Sequence, residues 1–315
     1  MRDNKVKVQQ LLLGIGTAVA MSIVIASCSP KPVLDQASLP YLFEGTMQAG
    51  VENAPPVEID LNAEFPTTPS DVAVYEIVPE GISDADATKL VRQIGFIGDA
   101  VPLKPGSVRQ VYSFMGGDQT LEIGLDGGIA IHNRTALAIP ADLPTAEKCT
   151  TAARDWLTSR GLYPSDVVRT STSPFIQVDA KTVATVVKFA IAVGGYEVQG
   201  VGAYVAIGDG GRVVEVSRNM PAVEKRGTVK LKTPGDALQT LWNYLTSSSA
   251  SPPEAKICSV NMRSFPLLSI ETVSIQYKAG AGYLQPVYVF EGSGFLDRDG
   301  TKVERFVGLV DAVRR

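Results

Sequence analysis

Thr182-Val183-Ala184-Thr185-Val186-Val187-Lys188-Phe189-Ala190-Ile191-Ala192-Val193 repeats with a period of two. Val183, Val187, Phe189, Ile191 and Val193 fall on one side, and Lys188 falls with small residues on the other. That alternation predicts a β-strand with one buried face. Val273, Ile275 and Tyr277 alternate with Ser274 and Gln276 in the same way. Strands with a single apolar face need another layer to bury it against, and antiparallel strands backed by helices satisfy that need.

Working outward, three amphipathic segments supply the helices. The first opens at Ser83-Asp84-Ala85-Asp86, where the serine hydroxyl can cap the first turn and Asp86 favours its positive end; it runs through Leu90, Val91 and Ile94 to Gly95. A second begins near Pro144, with Glu147 in its first turn, places Cys149, Ala153, Trp156 and Leu157 along one face, and stops at Gly161. A third starts at Thr233-Pro234-Gly235-Asp236 and carries Ala237, Leu241, Tyr244 and Leu245. Hairpin turns are predicted at Leu125-Asp126-Gly127-Gly128, Gly208-Asp209-Gly210-Gly211 and Asp297-Arg298-Asp299-Gly300, because Asp-Gly and Gly-Gly accept positive φ. The expectation is an α+β fold: antiparallel sheets each packed by short amphipathic helices, in three helix-plus-strands units. Helix starts at 83, 144 and 233 are too unevenly spaced for a solenoid.

The rest of the chain divides by composition. A basic stretch with Arg2, Lys5 and Lys7 precedes an apolar run from Leu11 to Ile25, the order of a secretory signal. The run is shorter than the roughly 20 residues of a spanning helix. From Ser29 to Ser70 the chain carries Pro30, Pro32, Pro40, Pro55, Pro56, Pro66 and Pro69 among acidic and small residues, which predicts a semi-extended spacer. Thr246-Ser247-Ser248-Ser249-Ala250-Ser251-Pro252-Pro253 is a second break. The expected divisions are therefore a signal peptide over 1–27, a tether over 28–70, a lobe with two helix-plus-strands units over 71–245, and a C-terminal unit over 246–315 that takes its helix from 233–245.

Ile25-Ala26-Ser27-Cys28 resembles the lipobox of bacterial lipoproteins, with a branched aliphatic three residues before the cysteine and small residues between. The resemblance implies a diacylglyceryl thioether on Cys28, recognition of Ile25, Ala26 and Ser27 by the signal peptidase, and removal of residues 1–27. Two or more acyl chains make a stable anchor where one is marginal. Ser29 follows the cysteine where an inner-membrane lipoprotein usually has Asp, which favours the outer membrane in a cell that has one. The implied location is the outer face of the cytoplasmic membrane or the outer membrane. A second resemblance rests on Tyr196-Glu197-Val198, Tyr204 to Ile207, the Gly-Asp-Gly-Gly turn and Val213-Val214-Glu215-Val216 after a helix. This order is similar to PepSY-type units of secreted bacterial proteins and, more loosely, to extracytoplasmic regulators of the YycI kind. It implies a binding or regulatory module whose partner is an envelope protein or peptide.

Charge and residue types narrow the chemistry. Lys and Arg total 29 against 33 Asp and Glu, and without the leader 26 face 32, an acidic remainder that disfavours nucleic acid. His132 is the single histidine, which excludes a multi-histidine metal site. No Gly-x-Ser-x-Gly elbow occurs, Ser293 in Gly292-Ser293-Gly294 lacks its spacing, and Lys follows Gly nowhere, so neither a serine-hydrolase elbow nor a phosphate loop is present. Asp297, Asp299 and Glu304 lack the spacing of a calcium loop and read as a hairpin turn. Neither a cofactor nor a metal is expected. The alternative to a non-catalytic module is an envelope hydrolase using paired carboxylates. Tyr283, Tyr288, Phe290 and Phe295 around Pro286 read as strand packing, with a ligand groove as the other reading.

Export leaves Cys149 and Cys258 as an even pair in a compartment where disulfides persist. A bridge across their 109 positions would stabilise by roughly 4 to 5 kcal/mol in the chain-entropy model. Two separate buried thiols are the alternative.

Overall fold

The structure is a computed structural model that describes residues 39, 58–78, 81–102, 111–133, 142–178, 181–246, 257–260, 266–280, 282–295 and 303–314. Ile25, Ala26, Ser27, the expected lipidation residue Cys28 and the expected Asp297–Gly300 turn lie outside them.

The chain opens with β1 (Glu58–Leu61) and β2 (Val72–Val78), then α1 (Asp84–Ile94) and a meander of β3 (Asp99–Ala100), β4 (Val111–Gly116), β5 (Gln119–Gly124) and β6 (Ile129–Asn133). A second helix and meander follow: α2 (Ala146–Ser159), β7 (Val167–Val178), β8 (Lys181–Val193), β9 (Tyr196–Ile207) and β10 (Val213–Asn219). The remainder is β11 (Ala222–Val229), α3 (Pro234–Thr246), β12 (Ile257–Val260), β13 (Leu267–Gly280), β14 (Tyr283–Phe295) and β15 (Val303–Asp311).

The helix ends follow the sequence chemistry. Ser83 and Asp86 form a reciprocal capping box on α1, and Gly95 ends it in the left-handed region at φ 73°. Thr145 caps α2, one residue later than the expected start at Pro144. Thr233 and Asp236 exchange hydrogen bonds across the first turn of α3, with Pro234 at its first position.

The expected α+β arrangement of separate antiparallel sheets, each under its own helix, is overturned. Among the described residues the fold is largely β, 56% strand against 20% helix, and its strands form one mixed sheet. Lengths explain why. Helices of 11 to 14 residues span about 16–21 Å, whereas β7, β8, β9, β13 and β14, at 12 to 14 residues, span about 40–46 Å. Strands that outrun their cover reach other strands.

β9 is the link. Its last half pairs with β8 and β10 and its first two residues with β8, while Val198 and Gln199 pair in parallel with Tyr277 and Lys278 of β13. The break between the halves falls at Gly200 (φ 75°) and Gly202 (φ 129°); a Cβ on Gly202 would lie 2.2 Å from the Phe189 carbonyl oxygen. Only glycine fits there. Tyr277 seals this junction: Tyr75 and Tyr196 meet its ring edge-on at 5.6 and 5.9 Å, and its hydroxyl donates to the Ala73 carbonyl at 2.7 Å. Burial pushes the Tyr277 phenol well above its ordinary pKa.

Within β3 to β10 the two meanders join through antiparallel pairing of their last strands, β6 and β10, giving the order β3-β4-β5-β6-β10-β9-β8-β7. α1 and α2 share one core beneath them, built from Val91, Ile94, Leu121, Ile131, Leu157, Phe189 and Val205. α3 packs on the C-terminal strands, where Leu241 approaches the backbone of Gly308. β2 and β11, which precede the 245/246 division, pair with each other and, through β2 and β14, with the C-terminal strands. Glu58–Leu61, expected as part of the spacer, instead forms β1 and adds in parallel to β13.

Candidate functional site

The helix-free side of β4 to β10 carries two cross-strand rows. Register sets Met115, Thr120, His132, Glu215, Ala206, Val186 and Ser173 opposite one another in sequence across seven strands. The neighbouring row is Ser113, Glu122, Ala130, Ser217, Tyr204, Lys188 and Ser171. Small and polar side chains dominate both. They alternate with Leu121, Ile131, Val216, Val205, Val187 and Phe189, which face the helices, so the period of two that builds the core also builds this surface.

At its centre three side chains from three strands meet. The Tyr204 hydroxyl donates to Glu215 Oε1, and His132 Nδ1 lies 3.3 Å from Glu215 Oε2, within reach of a hydrogen bond when Nδ1 carries the proton. The His132 side chain is 45% exposed and Glu215 20%, so solvent reaches the imidazole while the carboxylate is held from both sides. Burial, and then the Glu215 carboxylate, push the Tyr204 phenol well above its ordinary pKa. It therefore stays a neutral donor through the physiological range. The cluster lies on the seam between the two meanders, since His132 belongs to the first and the other two to the second.

A small β-bulge brings Glu215 into place. Pairing shifts between Val213 and Glu215, so Val214 is the extra residue; it turns onto the helix-free side beside Ala184, Ala206 and Phe175. The sequence holds Tyr204, Glu215 and His132 as separate strand residues. Carrying the Val213–Ile207 pairing on without a shift would have placed Glu215 opposite Val205 and Val216 opposite Tyr204; the bulge at Val214 brings Glu215 beside the Tyr204 hydroxyl instead.

The other candidates fall elsewhere. Tyr288 and Phe290 are fully buried, their rings 6.5 Å apart, and the Tyr288 hydroxyl donates to the Lys232 carbonyl at 2.8 Å. Ser293 donates to Glu271 at 2.7 Å. Three carboxylates with defined partners each face an arginine: Glu197 takes a two-pronged contact from Arg169, Glu291 meets Arg305 at 2.5 Å, and Glu76 meets Arg226 at 2.6 Å. Among the described residues no group of three or more His, Cys, Asp or Glu could hold a metal ion.

Cys149 is a free, fully buried thiol in the α2 core, so the candidate Cys149–Cys258 bridge is not formed. Its Sγ donates to the Pro144 carbonyl at 3.4 Å, and burial raises its pKa. The physical reason lies in the layers: Cys149 points from α2 into the core of β3 to β10, while the Cys258 backbone belongs to β12, paired with β15.

No protein-family model matches the chain, and no curated protein sequence matches it either.

Proposed function

We propose that this chain is an exported, lipid-anchored module that binds an envelope protein or peptide through the helix-free face of β4 to β10 and performs no catalysis itself. The lipobox-like Ile25-Ala26-Ser27-Cys28 supports the anchor. The surface supports the binding role. Thr120, His132, Ser217, Tyr204, Lys188 and Ser171 offer donors and acceptors in two parallel rows, and Glu215 is held by Tyr204 and His132. Preorganised polar groups on a rigid sheet lose little entropy when a partner docks.

A photo-crosslinking residue placed at Lys188 should, in intact cells, join this chain to a defined envelope protein. The same residue at exposed Lys89 on α1 should not, and Glu215→Ala should suppress the Lys188 product. Equal products at both positions, or none at Lys188, would overturn the assignment of the face. Acyl labelling of the wild type but not of Cys28→Ala tests the anchor; equal labelling of both would overturn it.

A further inference from the structure

We infer that β1 is an exchangeable strand and that the edge of β13 beneath it is a docking site for an extended peptide running parallel to β13. The inference concerns a different surface from the helix-free face and does not depend on it.

β1 and its acceptor are unequal partners. β1 has four residues; Glu58, Asp60 and Leu61 are exposed, and Ile59 is half-buried. It buries almost no apolar surface, so its attachment is mostly backbone: Glu58 N–H donates to the Pro266 carbonyl at 3.0 Å and Asn62 N–H to the Ile270 carbonyl at 2.9 Å. Asn62 adds a side-chain bond to Ser269 at 3.1 Å. Parallel ladders are weaker per residue than antiparallel ones. Prolines limit the length, since Pro55 and Pro56 lie just before the strand and Pro66 just after it, and proline donates no ladder hydrogen bond.

β13 is the opposite. Leu268 and Ile270 are fully buried, and the strand is held from Leu267 to Gly280 by antiparallel pairing with β14. The edge therefore keeps its shape whether β1 is present or not. Among the described residues no strand pairs with that edge between Ile270, where β1 ends, and Tyr277, where β9 begins. An incoming strand of eight to ten residues could cover both the β1 position and this stretch, roughly doubling the pairing length that β1 achieves. Both strands already on the edge run parallel to β13, which sets the direction of a third.

The test uses a fluorescent peptide with the sequence of residues 56–62 and the full-length chain in detergent. The even spacing of a parallel ladder puts Asp60 N–H opposite the Leu268 carbonyl, so Asp60→Pro should release β1. The peptide should bind the Asp60→Pro chain at least tenfold more tightly than the wild type, and a peptide carrying the same proline should bind neither. Equal binding to both chains, or no binding to a folded Asp60→Pro chain, would overturn the inference. Hydrogen exchange on the wild type reads it independently of any variant. The Asp60 amide should exchange at least 100-fold faster than those of Val289 and Phe290, and comparable protection would refute exchangeability. Neither result bears on crosslinking at Lys188, so the two surfaces stand or fall separately.

Discussion

The two sides of the β3–β10 sheet are made by the same strands, yet one is a continuous core under the helices and the other sets polar residues around a small buried cluster of Ala184, Ala206 and Val214. On the helix side, Leu121, Ile123, Leu157, Val187 and Val205 have no exposure at all. On the other, Lys188 and Glu122 are exposed while Tyr204, Glu215 and His132 hold one another. Amphipathic α1 and α2 cover the branched apolar residues because burying each gains about 1.5–3 kcal/mol. The other side offers less apolar area: Phe175 packs over Ala184, Ala206 and Val214, and no helix is drawn onto the polar residues around them. Cover follows apolar area.

The largest effect that would sharpen this contrast is Leu157→Ala, which empties a fully buried site between α2 and the sheet. It should cost about 2–5 kcal/mol in urea unfolding, and a loss under 1 kcal/mol would mean that the α2 core is not the main support.

Alkaline pH comes next. Tyr277, Tyr288 and Tyr204 all have phenols raised chiefly by burial. The unfolded chain releases these protons near pH 10 while the folded chain keeps them. Stability should thus be level below pH 10 and fall above it, by about 2 kcal/mol at pH 11. An unfolding midpoint unchanged from pH 9 to 11 would contradict the burial of these hydroxyls.

Two substitutions compare the sides directly, each costing about 1 kcal/mol. Tyr204→Phe removes a charge-assisted donor from Glu215; it should lower stability and also weaken the Lys188 crosslink. Cys149→Ala removes a buried sulfur; it should lower stability alone and leave the crosslink intact. Loss of the crosslink in both would erase the functional distinction between the faces. In unreduced protein Cys149 should be recovered as a free thiol that alkylates only after unfolding, whereas a Cys149–Cys258 peptide would contradict the buried-thiol geometry.

Smallest of all is Lys188→Ala, an exposed change within about 0.5 kcal/mol. A larger loss would show that the helix-free face carries packing of its own.

Much of this molecule is local and therefore legible in order. Ser83 with Asp86, and Thr233 with Pro234 and Asp236, specify helix starts through bonds spanning three residues. Asp-Gly and Gly-Gly turns join β5 to β6 and β9 to β10 through backbone angles that few other residues accept. Thr182–Val193 declares its strand and its buried face by alternation. β7 and β11 do not: Val-Val-Arg-Thr-Ser-Thr-Ser-Pro and Ala-Val-Glu-Lys-Arg-Gly-Thr-Val lie at sheet edges, where solvent on one or both faces removes the need for a pattern.

What tertiary structure alone decided is pairing at long range. The union of β6 with β10, the switch of β9 to β13, the capture of Glu58–Leu61 by a strand two hundred residues away and the burial of Cys149 as a free thiol depend on which edges and layers remain available once the local elements have formed. The Tyr204–Glu215–His132 cluster belongs to the same class. Each residue is fixed in its strand by local sequence, but their meeting needs a register, a bulge at Val214 and a seam between two meanders, and those are set by packing free energy that no short stretch of sequence contains.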